Sequence, residues 1–170
     1  MNSTRTSDFA LILRALSEHR ADFIVVGGVG AVLLGAPVTT FDLDVVHRRD
    51  EENLARLVTA LDVLEAVYRA QPERRLRPGV DHLRSADHHL LMTRYGPLDL
   101  LGAIGRDRTY EDLIGATCEI DMGDGLQVRV LTLDALISVK EETAGEKDLA
   151  VLPVLRRTLR EKQRSEPRRR

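Results

Sequence analysis

The feature that most constrains how this chain can fold is an apolar run, Phe23-Ile24-Val25-Val26, that stops at Gly27-Gly28 and is followed downstream by Phe41-Asp42-Leu43-Asp44-Val45-Val46. A short run with no polar position predicts a strand buried on both faces. In the second segment, read as a strand, side chains alternate sides, so Asp42 and Asp44 project together while Leu43 and Val45 point into the core. Like charges held that close raise one another's pKa unless a cation neutralises them, so the pair reads as a ligand set for a hard divalent ion. Gly27-Gly28 lets backbone N–H groups approach a phosphate with no Cβ in the way, and a following helix would aim its positive end there. Glycines for phosphate and aspartates for metal together point to a nucleotide.

A chain of 170 residues, 43% hydrophobic and 31% charged, suits one domain with a substantial core, expected over residues 1–160. Residues 161–170, closing in Arg168-Arg169-Arg170, read as a basic, disordered tail. A net charge of -2 offers no global attraction to nucleic acid or to an anionic membrane. The single cysteine, Cys118, excludes an intrachain disulfide framework and fits a small core residue. With no apolar leader at the start and no span-length apolar run, the expectation is a cytoplasmic protein with no membrane partner.

Element types alternate along the chain. Ser7 is expected to cap a helix over 8–19 that buries Phe9, Ile12, Leu13 and Leu16. A short helix over 29–34 ends at Gly35-Ala36-Pro37, and Asp50 caps another through Leu61 that continues unevenly towards Tyr68. Residues 71–87 carry no period and read as a long loop. Two apolar runs flanking Arg94-Tyr95-Gly96-Pro97 predict a hairpin that contains Asp99, and runs at 118–122 and 126–131 around Gly123-Asp124-Gly125 predict a second. Thr109 caps a helix to Ala116, and helices over 133–143 and 146–159 close the order.

The ordered set Gly27-Gly28, Thr40-x-Asp42-x-Asp44, Gly96-x-x-Asp99-Leu100-Leu101, Lys140 and Lys147-Asp148 resembles the DNA polymerase beta-like nucleotidyltransferase superfamily, with the nearest look to small bacterial nucleotidyltransferases related to AbiEii-type toxins and to the minimal nucleotidyltransferases. The resemblance spans about residues 23–155. It implies an α/β (α+β) nucleotidyltransferase fold, a mixed sheet flanked by helices, with Asp42, Asp44 and Asp99 as catalytic metal ligands for two Mg2+ or Mn2+ ions. It further implies nucleotide-binding roles for Gly27, Gly28, Thr40, Lys140, Lys147 and Asp148. The reaction implied moves a nucleoside monophosphate from an NTP to an acceptor hydroxyl on RNA, a protein partner or a small molecule, within a toxin-antitoxin system in one reading.

Many relatives carry arginine where this chain has Val38 and just ahead of the Lys-Asp pair, where it has Gly145-Glu146. Neither valine nor glutamate can form arginine's bidentate phosphate contact. A rival reading is therefore a weakened or inactive nucleotidyltransferase-fold binding module, an antitoxin-like partner; a second is an aminoglycoside-type antibiotic nucleotidyltransferase. Arg74, Arg75, Arg77 and Arg84 form the most basic internal cluster, either a solvated loop or a patch for RNA. His82, His88, His89 and Asp87 do not read as a zinc site, since neighbours on a strand face opposite ways and no cysteine set supports them.

Overall fold

The computed structural model describes residues 7–143 and 145–166. The first apolar run forms β1 (Phe23–Val26), buried at every position, and α2 (Gly27–Leu33) starts on the glycine pair itself, following α1 (Phe9–Glu18) in the chain. After β2 (Leu43–His47) come α3 (Glu51–Val63), β3 (Val67–Tyr68), α4 (Val80–Leu83), and the hairpin β4 (His88–Thr93) and β5 (Gly96–Leu101). The chain closes with α5 (Tyr110–Leu113), the hairpin β6 (Thr117–Asp121) and β7 (Gln127–Leu131), α6 (Leu133–Thr143) and α7 (Glu146–Ser165).

The strands make one mixed seven-stranded sheet in the order β3-β4-β5-β2-β1-β7-β6. Parallel pairs β2/β5 and β1/β7 sit among antiparallel ones. Alternation along β2 and β5 divides the sheet's two faces. Leu43, Val45, Leu98 and Leu100 are fully buried on one side, with His47 among them donating from Nε2 to the Leu83 carbonyl of α4 at 3.1 Å. Burial pushes the His47 imidazole down to about 4. The opposite face carries Asp44 and Asp99 and looks towards α6.

Several expectations are revised. Asp8, not Ser7, caps α1, its carboxylate accepting from the Leu11 N–H at 3.2 Å. Ser7 instead packs where Gly96 leaves room. The helix from Asp50 does not run on to Tyr68; it ends at Leu64, Glu65 turns with φ 53°, and Val67-Tyr68 pair with the edge of β4. A β-branched and an aromatic residue gain ladder hydrogen bonds there that a frayed helix end would not supply. Residues 71–87 hold a 3-10 turn and α4, whose Leu83 is fully buried, rather than a structureless loop. The last helix extends to Ser165, so residues 161–165 are helical rather than a tail, while 167–170 lie outside the described residues. No helix among the described residues is long and apolar enough to cross a membrane.

Candidate active site

Asp44 on β2 and Asp99 on β5 are direct register partners on adjacent parallel strands, so their side chains stand on the same face about 5 Å apart at the backbone. Asp42 does not continue the strand as the alternation predicted. It sits in the bend just before β2, where the Thr40 hydroxyl donates to its carbonyl at 3.0 Å, and its side chain is 44% exposed. The turn rather than the pleat brings it to the site.

The glycine pair packs against these residues. Gly27 has φ 62°, which a side chain rarely adopts, and a Cβ there would lie 2.1 Å from Asp44 Oδ2. A Cβ on Gly28 would lie 2.6 Å from Thr40 Oγ1. The space that glycine leaves is thus filled by the Thr40-x-Asp42-x-Asp44 segment itself. Gly27 and Gly28 seat the motif, and the first turn of α2 begins beside its carboxylates.

Electrostatics follow from this crowding. Burial, then repulsion from Asp99 and Asp42, pushes the Asp44 carboxyl up to about 7, and a hydrogen bond to Asp99 favours the same protonated form. Asp99 is also raised, by burial first, with Arg69 pulling in the opposite direction. Arg69, just beyond β3, forms an ion pair with Asp99 through Nη2, and its Nη1 lies 3.9 Å from Asp42 Oδ2. Sequence reading misses this arginine because Val67-Tyr68, the short strand just before it, reads as a helix end. A charged residue directly after a Val-Tyr pair is the signal that a strand reading would have used.

A cavity of about 200 Å³ opens beside Asp44, lined by Gly27, His88, Leu101, Leu136, Lys140 and Asp148 among others. Lys140 Nζ pairs with Asp148 at 2.8 Å, and its charge lowers the Asp44 pKa against the larger upward effects. Burial would raise Asp148, but hydrogen bonds from Lys140 and from the Thr143 hydroxyl, at 2.9 Å, hold it below the ordinary carboxylate range. The α6/α7 turn therefore brings Lys140 and Asp148 to the site. Lys147 is exposed and does not line the cavity.

Among the described residues no three His, Cys, Asp or Glu side chains converge as a ready metal cage. The donor chemistry nonetheless suits a hard divalent ion. Asp44 and Asp99 share one face, and Asp42 comes up to it from the turn. Burial first, then the neighbouring carboxylates, drive Asp44 towards neutrality, so the set calls for balancing positive charge. The guanidinium of Arg69 supplies part of that charge. Asp42, Asp44 and Asp99 are the residues that would hold such an ion.

No protein-family model matches the chain, and no curated protein matches it. Solved structures do. TM1012 of Thermotoga maritima, described as a candidate nucleotidyltransferase, is 16% identical with a TM-score of 0.50 over 93% of this chain and 91% of its own. The antibiotic-resistance factor ANT(2'')-Ia is 18% identical with a TM-score of 0.58, covering 89% of this chain and 82% of that one. The lincosamide antibiotic adenylyltransferase LnuA, in its lincomycin-bound structure, is 13% identical with a TM-score of 0.58, covering 90% and 98%. With a mixed seven-stranded sheet flanked by helices and this likeness over nearly its whole length, the chain has the nucleotidyltransferase fold.

Proposed function

We propose that this chain is a metal-dependent nucleotidyltransferase that moves a nucleoside monophosphate from an NTP to an acceptor hydroxyl. The observation that carries the reading is the pairing of Asp44 with Asp99 in register beside Gly27, with Asp42 joining them from the turn. Two divalent ions, Mg2+ or Mn2+, would supply Lewis acidity to the attacking and leaving oxygens when bound. Asp42 and Asp44 hold the triphosphate end of the site. Asp99, nearer the open edge formed by β3 and β4, faces the acceptor and orients its hydroxyl. Backbone N–H groups at Gly27 and Gly28 face the phosphates, with Thr40 fixing the turn that presents Asp42. Lys140, now held by Asp148, offers a point charge to the departing pyrophosphate.

For the acceptor, a small molecule is favoured. LnuA, an antibiotic adenylyltransferase, is matched over 98% of its length, and ANT(2'')-Ia is an antibiotic-resistance factor of the same fold. RNA is less favoured, because two of the four arginines of the basic cluster are already paired: Arg84 with Glu51 and Asp81, and Arg77 with Asp62. A toxin-antitoxin role would need RNA or a protein partner as acceptor, and a cytoplasmic setting would suit either substrate. The deciding experiment is a screen with α-labelled NTPs and Mg2+ or Mn2+ against aminoglycosides, lincosamides, tRNA and co-encoded proteins. Label on an antibiotic supports this reading; label on RNA or protein alone moves the acceptor to the toxin-antitoxin class. NTP binding without transfer to any acceptor would leave the binding-module reading in its place.

A further inference from the structure

We propose that Arg69 is a displaceable internal counter-cation of the carboxylate site, occupying by its guanidinium the charge position that a divalent ion takes and weakening metal binding until it leaves. The inference rests on the metal reading proposed above and concerns a residue outside that reading's ligand set.

The geometry is built by strand register. The Arg69 N–H donates to the Leu90 carbonyl at 3.0 Å, which anchors its backbone to β4, and Leu90 is the register partner of Asp99 on β5. Register partners stand on the same face, so Leu90 and Asp99 lie on the side that carries Asp44, and the hydrogen bond that continues the β3/β4 register one residue past Tyr68↔Leu91 brings Arg69 to that side. Two inter-strand steps make roughly 10 Å between the backbones of Arg69 and Asp99, a gap that one long arginine side chain and one short aspartate close between them. The guanidinium then reaches Asp99 through Nη2 and Asp42 at 3.9 Å through Nη1.

Burial makes the contact more than an ordinary surface ion pair. Side-chain exposure is 26% for Arg69 and 11% for Asp99, against roughly half for most other arginine pairs in the protein. Its planar fork spans two of the three carboxylates, as a bridging ion would. A cation arriving there meets a positive charge already in place, and must break a shielded ion pair to gain Asp99. The guanidinium is tethered, so it can swing off Asp99 without leaving the face.

The test is calorimetric titration of Mn2+ into the unmodified protein, Arg69→Gln, Arg69→Lys and Asp99→Asn, at fixed pH without nucleotide. Removing the charge is expected to tighten Mn2+ binding about tenfold or more in Arg69→Gln, while Arg69→Lys stays near the unmodified protein. A merely structural role predicts the reverse, since damage to the site weakens the metal. The metal-free Arg69→Gln protein should also melt lower and be restored by Mn2+ further than the unmodified protein is. Should that variant fail to fold, the Arg69 side-chain Nε–Hε resonance of the unmodified protein, followed through a Mg2+ titration, reads the same displacement. The expected result is a shift that saturates with the metal. If the unmodified protein binds Mn2+ and Arg69→Gln binds it no tighter, or the Arg69 resonance ignores saturating Mg2+, this inference falls and the metal reading stands. If no protein in the set binds Mn2+, the metal reading falls and takes the inference with it.

Discussion

Asp44→Asn should make the metal-free protein more stable, by a margin that grows as pH rises above about 4 and is full above pH 7. The carboxyl of Asp44 titrates at about 7 in the fold against 3.8 as an ordinary aspartate, because burial and the neighbouring Asp99 and Asp42 oppose its charge. A raised carboxyl pKa means that the folded state holds the proton over a range where the unfolded chain has lost it. Stability therefore falls as pH rises from about 4 through 7, and the loss is complete above 7. That displacement corresponds to about 4 kcal/mol as a ceiling. Rotation of the carboxylate towards Lys140 and water entering the adjacent cavity screen the charge and reduce the expected gain to about 1–2 kcal/mol. Asparagine matches aspartic acid in shape and can still donate to Asp99, so the two proteins should be nearly equal only below about pH 4, and the offset at pH 5 should be less than half of that at pH 8. Urea unfolding with EDTA at pH 5 and pH 8 reads the difference directly. An equal offset at both pH values, or a less stable variant at pH 8, would refute the electrostatic reasoning.

His47 predicts the opposite trend on the acid side. Its folded pKa of about 4 lies below the ordinary 6.5, so stability is lost as pH falls from 6.5 towards 4, by up to about 2 kcal/mol at pH 5. His47→Gln, which can still donate to the Leu83 carbonyl, should flatten the urea midpoint between pH 7 and pH 5. Gly27→Ala should destabilise by about 2 kcal/mol or more and displace Asp44, since it adds a Cβ 2.1 Å from that carboxylate at φ 62°. Gly115→Ala, with nothing within 4 Å of the added Cβ, is the neutral control in the same melts. Lys140→Ala should raise the dissociation constant for magnesium-NTP, and Glu146→Arg, at the exposed start of α7, should lower it; fluorescent-nucleotide titration measures both. If neither moves, the phosphate path does not run past the α6/α7 turn.

The parts of the fold legible in the sequence were those where period and punctuation agreed. The unbroken Phe23–Val26 run ending on glycines and both hairpins were placed to within a residue or two, although Gly96-Pro97, expected in the first turn, open β5 and leave Arg94-Tyr95 as the turn. Val67-Tyr68 was illegible because a two-residue strand has no period of its own; its state is set by the free edge of β4, far along the chain. Arg69 was lost with it. The carboxylate trio was legible as a set, but not the way Asp42 joins it from a bend held by Thr40. Nor could sequence show that the glycine pair is filled from within by Asp44 and Thr40, since that depends on how closely α2 and β2 approach. Lys147 and Lys140 look alike in the sequence, and only the α6/α7 turn separates the one facing the cavity from the exposed one.

The central claim is that Asp42, Asp44 and Asp99 form a working nucleotidyl-transfer site, and pyrophosphate release tests it most directly. The unmodified protein and Asp99→Asn would be compared with each NTP, Mn2+ and the acceptor panel, with nucleotide affinity measured alongside. The account predicts release from the unmodified protein that falls by roughly a hundredfold or more in Asp99→Asn while NTP affinity is kept. Release that survives the substitution, or its absence from the unmodified protein with every NTP and acceptor, would contradict it.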